Sequence, residues 1–125
     1  YARAGIAAEL IPFIENMAPR YAAADLVVCR AGATTIAELA AAGVASVLVP
    51  YPRAVDDHQT VNARYLVERG AAVLLPQHEF TAEKLAGLLA EFTRDKLLAM
   101  ARAARATAKP EATRAVADVC MELAA

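Results

Sequence analysis

Apolar and polar positions along residues 9–75 follow two alternating patterns. Three continuous apolar runs, DLVVC (25–29), ASVLVP (45–50) and AAVLL (71–75), are typical of parallel strands that are covered on both faces. A shorter run, ELIPFI (9–14), predicts a further strand, near an edge or end of the sheet because its proline cannot donate a ladder hydrogen bond. The apolar runs therefore predict three central strands and one marginal strand.

The segments between these runs have the periodicity of helices. Ile36, Leu39 and Ala40 recur on one face of TTIAELAAAG, which a glycine ends. Further helices are predicted over 15–24 and 58–69, the second closed by the glycine that follows it. The alternation of strands and helices predicts an α/β fold with a parallel sheet and right-handed crossovers.

After residue 80 the chain contains helical patterns only. Thr81 is predicted to cap one helix, and Thr93 or Asp95 to begin the next. Pro110 is predicted to lie just inside the start of the last helix. The sheet is therefore predicted to precede an all-helical tail.

The composition fits one packed domain. Hydrophobic residues make up 58% and charged residues 22% of the 125 residues, which excludes disorder. The net charge of −1 gives no general attraction to nucleic acid or anionic lipid, and we expect no nucleic-acid partner. The longest stretch without a charge, between Glu38 and Arg53, contains a glycine and a proline and is no membrane span. Cys29 and Cys120 are predicted to be buried thiols of a reducing compartment.

Several common chemistries have no support in the sequence. His58 and His78 do not combine with the two cysteines at the spacing of metal ligands, and we expect no metal. The single serine, Ser46, begins a buried strand, and the sequence has no Gly-x-Ser-x-Gly motif. Neither a P-loop nor a Gly-x-Gly-x-x-Gly motif occurs.

Two loops follow predicted strands at the carboxyl edge of the sheet, where parallel α/β folds bind their ligands. The first loop (30–34) contains Gly32, and a helix is predicted to start at Thr34 or Thr35. A helix N-terminus presents unpaired N–H groups and the positive end of a dipole, and a glycine permits close approach of a ligand. The first loop is therefore a candidate phosphate site.

Glu38 has two possible roles. The spacing Thr35-x-x-Glu38 matches a capping box, in which the threonine caps the helix and the glutamate reaches back to the backbone. Alternatively, the carboxylate accepts two hydrogen bonds from a vicinal diol such as a ribose. It would then face the sugar of a nucleotide, since a phosphate would repel it.

The second loop (50–58) is equally ambiguous. Asp56-x-x-Gln59 also has capping spacing, with Asp56 or Asp57 as the cap. However, four polar side chains gather at this loop and the first turn after it, and capping needs only one or two of them. Amide and imidazole groups can bind neutral sugar hydroxyls. The four residues are Asp57, His58, Gln59 and Asn62.

Taken together, the motifs resemble one family. They are F-I-x-x-M, A-D-(V/L)-V-V-C-R-x-G-A-x-T-x-x-E, the A-A-A-G turn with the proline after it, and D-x-Q-x-x-N-A. The chain resembles, over essentially its whole length, the C-terminal domain of the MurG family of UDP-N-acetylglucosamine:undecaprenyl-pyrophosphoryl-MurNAc-pentapeptide N-acetylglucosaminyltransferases. The resemblance implies a Rossmann-like parallel sheet with flanking helices, as part of the C-terminal domain of a GT-B fold.

The resemblance also implies roles for individual residues. Ile14 matches the residue whose backbone meets the uracil, and Met17 lies near it. Glu38 matches the carboxylate that holds the ribose hydroxyls, which favours the ligand role over the cap. Gln59 matches a glutamine that contacts the GlcNAc hydroxyls, and His58 stands where some members have a second glutamine. The implied substrate-binding residues are Ile14, Met17, Gly32, Ala33, Thr34, Thr35, Ile36, Ala37, Glu38, His58 and Gln59.

For the intact protein, the resemblance implies inverting transfer of GlcNAc from UDP-GlcNAc to lipid I (undecaprenyl-diphospho-MurNAc-pentapeptide), giving lipid II at the cytoplasmic face of the bacterial plasma membrane. No metal or other cofactor is implied. Residues 1–125 are expected to form one incomplete domain, most of the UDP-GlcNAc-binding domain. The acceptor domain, its membrane contact and its general base are expected outside this sequence. The opening YARAG, typical of a helix end, also predicts a fragment, and we expect no activity from it alone.

Two alternatives remain open at this point. The glutamate and the D-x-Q-x-x-N motif recur across UDP-sugar enzymes, so the chain fits the donor-binding half of another GT-B glycosyltransferase. It also fits a binding subunit that is active only with a partner chain. A purely structural α/β protein would bind no UDP at all.

Overall fold

The computed structural model describes residues 1–124, apart from the side chain of Val55. Its centre is a parallel sheet in the order β1-β2-β3, which confirms the three predicted central strands. Leu26 pairs with Ala45, and Ser46 pairs with Ala72. The strands are β1 (Leu26–Cys29), β2 (Ala45–Leu48) and β3 (Ala72–Leu74).

Helices precede, connect and follow the strands. The first three are α1 (Met17–Ala23), α2 (Ala33–Ala42) and α3 (His58–Val67). The tail consists of α4 (Ala82–Ala90), α5 (Arg94–Ala106) and α6 (Ala112–Ala124). Short 3₁₀ turns lie at Ala2–Ala4, Val55–Asp57 and Gln77–Glu79. The predicted alternation followed by an all-helical tail is therefore confirmed, within shifts of a few residues at the element ends.

The central strand lies between two apolar clusters. All four residues of β2 are buried, because helices cover the sheet on both faces. On one face, Leu48 packs with Leu39 of α2 and Leu66 of α3. On the other, Val47 packs with side chains of α4. Each fully buried Leu or Val contributes about 1.5–3 kcal/mol, so Leu39 and Leu66 hold α2 and α3 firmly against the sheet. For α2, the buried face is the one that the sequence predicted.

The end of α2 is fixed by a glycine. Gly43 has φ 67°, a left-handed conformation that a side chain rarely adopts. A Cβ atom at this position would lie 3.1 Å from the Cβ of Arg105, so α5 packs directly against the turn. The predicted end of this helix is confirmed.

The predicted strand over residues 9–14 is wrong. This segment is irregular, and Leu10 and Phe13 are 75% and 78% exposed. Its apolar composition suggested a strand, but β1 pairs with β2 only, so within the described residues the segment has no strand to join. Two hydrogen bonds, of 2.7 and 2.9 Å, from the Arg20 guanidinium to the Glu9 carboxylate attach it to α1 instead.

The tail contains two further corrections. Pro110 precedes the last helix rather than lying inside its start. Cys120 is exposed, since α6 buries none of its residues among the described part of the chain. Cys29 is half-buried at the end of β1, and its burial raises the pKa of the thiol to about 11. Only one of the two thiols is therefore shielded as predicted.

Candidate functional site

Helix α2 begins at Ala33, one or two residues earlier than predicted, and this changes the role of its first turn. Gly32 is the N-cap residue, with an extended backbone, and its carbonyl accepts a hydrogen bond of 2.9 Å from the N–H of Ile36. No side chain caps the helix. Thr34 and Thr35 therefore lie inside the first turn, and the prediction that one of them caps the helix is wrong.

The capping-box interpretation of Glu38 is wrong for the same reason. A capping box needs its glutamate at the third helical position, whereas Glu38 is the sixth residue of a helix that starts at Ala33. The carboxylate instead accepts a hydrogen bond from the hydroxyl of Tyr21, with 3.1 Å between the oxygens. Glu38 is exposed, so most of its acceptor capacity is open to a ligand.

The hydroxyl of Tyr21 comes from α1 and belongs to a side chain that is only 7% exposed. Burial and, to a smaller extent, the neighbouring Glu38 carboxylate together raise the pKa of Tyr21 to about 12. The phenol therefore stays protonated at neutral pH and acts as a neutral donor to the carboxylate.

An apolar cavity of about 340 Å³ lies between α1 and α2. It brings together Met17 and Glu38, which the family resemblance implies lie near the uracil and at the ribose, respectively. Ile14 is half-buried just before α1 and does not line this cavity. The lining residues are Met17, Ala18, Tyr21, Ala22, Glu38, Ala41 and Ala42.

A second cavity, of about 490 Å³, lies on the other side of α2, against the connection from α5 to α6. Predicted site residues on its wall are Ala33, Thr34, Ile36, Ala37 and Glu38. Ile36 is only 6% exposed and packs mainly in the core, so it contributes little side-chain surface. Glu38 and Ala41 line both cavities, and Glu38 is the one of the two with a polar side chain.

Gln59 and Asn62 bind the backbone of the first loop. The Gln59 side-chain oxygen accepts hydrogen bonds from the N–H groups of Ala31 (3.3 Å) and Tyr51 (2.9 Å). The Asn62 amide donates to the carbonyl of Ala31 at 3.1 Å. Both polar groups of the Ala31 backbone are therefore held by α3, and we call these three hydrogen bonds the Ala31 clamp.

The sequence analysis did not predict this clamp, although it identified Gln59 and Asn62 among more polar side chains than capping needs. Their spacing of three places both on one face of α3, which was the available signal. The prediction that Gln59 contacts a sugar stays a prediction. Its oxygen already accepts two N–H groups, which leaves its amide NH₂ as the group for a ligand.

Arg30 is a second residue that sequence reasoning left out. Its guanidinium donates to the carbonyls of Val49 and Pro50, at 3.1 Å each, and lies 5.6 Å from the centre of the Tyr51 ring. Arg30 thereby joins the two loops at the carboxyl edge of the sheet. A charged residue directly after a predicted strand, at the carboxyl edge of the sheet, was the signal that could have revealed it.

The second loop has an unusual backbone. Asp56 and Asp57 have φ values of 53° and 51°, in the left-handed region that non-glycine residues seldom occupy. Asp57 is the N-cap residue of α3, but its side chain does not cap the helix. It accepts a hydrogen bond of 2.6 Å from the Thr60 hydroxyl instead, so the predicted aspartate cap is wrong. His58, the first residue of α3, is exposed beside it.

Residues 1–124 contain no cluster of three or more His, Cys, Asp or Glu side chains arranged to hold a metal ion. In the same part of the chain, no helix combines the length and the apolar character that crossing a membrane requires.

Comparison with known proteins places this geometry in a family. The sequence of residues 1–119 matches the protein family described as the glycosyltransferase family 28 C-terminal domain. Proteins of Aromatoleum aromaticum and Azoarcus sp. are 66% and 65% identical over 125 and 124 residues. Both are named UDP-N-acetylglucosamine--N-acetylmuramyl-(pentapeptide) pyrophosphoryl-undecaprenol N-acetylglucosamine transferase.

These relatives are much longer than the chain. The alignments cover 100% and 99% of this chain but only 35% of each relative, so the chain spans about a third of their length. The crystal structure of Acinetobacter baumannii MurG superposes with a TM-score of 0.87 and 49% identity. That alignment covers 91% of this chain and 35% of the solved one.

Proposed function

The chain belongs to the family of glycosyltransferase family 28 C-terminal domains, and we propose that it is the part of a longer N-acetylglucosaminyltransferase that binds UDP-GlcNAc. The resemblance and the fold expected from the sequence are confirmed. The names of the relatives support the donor and the reaction class. The single observation in this chain that favours a ligand role is the Glu38 carboxylate, which is exposed beside a cavity and takes no part in capping its helix.

In this proposal, the Glu38 carboxylate accepts one hydrogen bond from each of the two ribose hydroxyls of the uridine. The base lies toward Met17 and Ile14 on the α1 side. The diphosphate lies toward the start of α2, at Gly32 and Ala33, where the first-turn N–H groups have no side-chain cap and the helix dipole favours negative charge. The charges are then arranged consistently, because the carboxylate lies in the second turn, away from the end that attracts phosphate.

The sugar of the donor would lie toward the second loop. His58 and the NH₂ group of Gln59 are the proposed contacts for the GlcNAc hydroxyls. The Ala31 clamp supports this arrangement indirectly, because it holds the backbone between Arg30 and Gly32 in one position. A preformed loop loses less conformational freedom when a ligand binds.

For the whole enzyme we propose inverting transfer of GlcNAc to the lipid-linked acceptor, lipid I, in peptidoglycan synthesis. This chain would position the donor and stabilise the leaving UDP through backbone N–H groups. Deprotonation of the acceptor hydroxyl, acceptor binding and contact with the cytoplasmic face of the bacterial membrane would come from the rest of the enzyme. No metal or other cofactor takes part in the proposed reaction.

The proposal is tested by titrating the ¹⁵N-labelled chain with UDP-GlcNAc and UDP and following backbone amide shifts. We expect the largest shifts in residues 31–38 and 58–59. Glu38→Gln should weaken UDP binding about tenfold or more, because it removes the charge from two hydrogen bonds. It should leave the melting temperature nearly unchanged.

The matched control is Glu122→Gln, an exposed carboxylate on α6 that should not affect binding. Equal UDP affinity in Glu38→Gln and the unmodified chain would refute the ribose role. Synthesis of lipid II by the isolated 125 residues would refute the proposal that acceptor binding and deprotonation of the acceptor hydroxyl belong to the rest of the enzyme.

A further inference from the structure

The contact between Tyr21 and Glu38 joins the core to the proposed nucleotide site. The Tyr21 ring belongs to the core cluster that contains buried residues of α2 and the sheet, while its hydroxyl reaches the exposed carboxylate at 3.1 Å. We propose that Tyr21 is a positioning residue that holds the Glu38 carboxylate in the orientation that accepts the two hydroxyls of a ribose. This inference rests on the proposed function and adds to it a residue that touches no ligand itself.

An exposed glutamate on a helix ordinarily samples several side-chain rotamers, and a ligand that needs one of them loses affinity accordingly. Glu38 projects from the exposed side of α2, so packing of its own helix does not fix the carboxylate. Tyr21 is fixed, because its ring is buried in the core cluster. One hydrogen bond from a fixed donor therefore restricts the carboxylate before the nucleotide arrives.

The chemistry of the donor suits this role. A carboxylate has about four lone-pair directions, and the hydroxyl of Tyr21 occupies one of them on Oε2. The remaining directions suffice for two ribose hydroxyls. A lysine or arginine in the place of Tyr21 would also orient the carboxylate, but it would neutralise the charge that strengthens hydrogen bonds to the diol. The pKa of Tyr21, raised to about 12 by burial, keeps this donor neutral and protonated.

The alternative is a tyrosine that only fills the core and uses Glu38 to satisfy its hydroxyl. Both roles predict some loss of stability when the hydroxyl is removed. Only the positioning role predicts a loss of affinity that depends on the diol of the ligand. The two are separated by comparing UDP with 2′,3′-dideoxyuridine 5′-diphosphate, which has the same base and diphosphate but neither hydroxyl.

The experiment measures the dissociation constants of both nucleotides by amide-shift titration for the unmodified chain, Tyr21→Phe, Glu38→Gln and the double variant. Tyr65→Phe is the matched control. It deletes the hydroxyl of another partly buried tyrosine, one that donates to the carbonyl of Thr107 at 3.2 Å rather than to Glu38. The ratio of the two affinities within one variant does not depend on how much of the protein is folded, so a loss of stability cannot imitate the effect.

We expect Tyr21→Phe to weaken UDP about three- to tenfold and to leave the dideoxy nucleotide unchanged. The double variant should bind UDP no more weakly than Glu38→Gln alone, because the tyrosine acts through the carboxylate. Tyr65→Phe should leave both affinities unchanged. If Glu38→Gln weakens UDP while Tyr21→Phe does not, or if Tyr21→Phe weakens both nucleotides equally, the positioning role is overturned and the ribose role of Glu38 stands. If Glu38→Gln changes neither nucleotide, the ribose role itself fails.

Discussion

The helices at the site and the helices of the tail begin differently. In the tail, Thr81 accepts a hydrogen bond from the N–H of Lys84, and Thr93 accepts one from the N–H of Lys96, at 3.2 Å each. At the site, α2 and α3 have no side-chain cap, although residues with capping spacing occur near the start of each helix. Capping spacing in the sequence therefore predicts a side-chain cap correctly for α4 and α5 but not for α2 and α3.

The comparison separates two kinds of polar residue: those that stabilise the start of their own helix, and those that bind other parts of the site. The tail threonines satisfy orphan N–H groups of their own helices. In α2 and α3, the residues with capping spacing turn to other partners: Glu38 to Tyr21, and Gln59 to the backbone of both loops. Local rules are expected to fail where function imposes a different demand.

The largest expected effect comes from breaking the Ala31 clamp. Gln59→Ala leaves the N–H groups of Ala31 and Tyr51 without their acceptor, and Ala31 is fully buried. We expect a loss of about 2–4 kcal/mol in the free energy of unfolding, measured with urea. Gln59→Glu is the control, because its carboxylate keeps an acceptor oxygen in place, and it should lose much less. Equal losses in the two variants would show that the hydrogen bonds contribute little.

An intermediate effect is expected at high pH, where the buried groups near the site titrate. Burial raises the pKa of Cys29 from 9.0 to about 11 and that of Tyr21 from 10.0 to about 12. The unfolded chain therefore releases these protons first. The stability they contribute is fully present below pH 9 and is lost progressively up to pH 12. A shift of two pKa units corresponds to at most about 2.7 kcal/mol, and solvent screening of these partly accessible groups reduces the expected loss to about 1–2 kcal/mol per group.

This pH dependence is checked by urea unfolding between pH 8 and 11.5. Cys29→Ala should flatten the lower part of the decline, and Tyr21→Phe the upper part. Cys120→Ala removes the exposed thiol of the tail and serves as the control, with an unchanged slope. A decline that is the same in all four proteins would assign the titration to other groups.

The smallest effects test the caps directly. Thr81→Ala and Thr93→Ala should each cost about 1 kcal/mol, since each leaves an N–H group of its helix without its side-chain acceptor. Thr35→Ala should cost less than about 0.5 kcal/mol, because Thr35 lies inside the first turn of α2 and caps nothing. These losses of stability are measured by thermal unfolding of the three variants. A cost at Thr35 that equals those in the tail would remove the contrast between the two regions.

The fold could be predicted from the sequence where one local rule was enough. Continuous apolar runs identified the three strands, and the spacing of Ile36, Leu39 and Ala40 identified the buried face of α2. The same reasoning failed at residues 9–14, because an apolar run shows that a strand is possible and not that a partner strand lies beside it. Sequence spacing carries no information about such partners.

The site could be predicted only in part, for a related reason. Glu38 was identified as a candidate, but its partner Tyr21 lies 17 residues away along the chain and was not. Gln59 was identified as a residue that meets a sugar, while its contact with Ala31 depends on how α3 packs against α2 and β3. The resemblance to known transferases supplied roles that spacing alone left open.

The Ala31 clamp also has a consequence for the order in which the chain acquires its structure. Its two contacts with Ala31 join residues that are 28 and 31 positions apart, whereas each tail cap joins residues three positions apart. Closing a long loop costs more entropy than closing a short one, and contacts between distant residues slow folding. The caps can therefore form within a single helical turn, while the two loops at the carboxyl edge of the sheet reach their final geometry only after α3 has docked against α2 and β3.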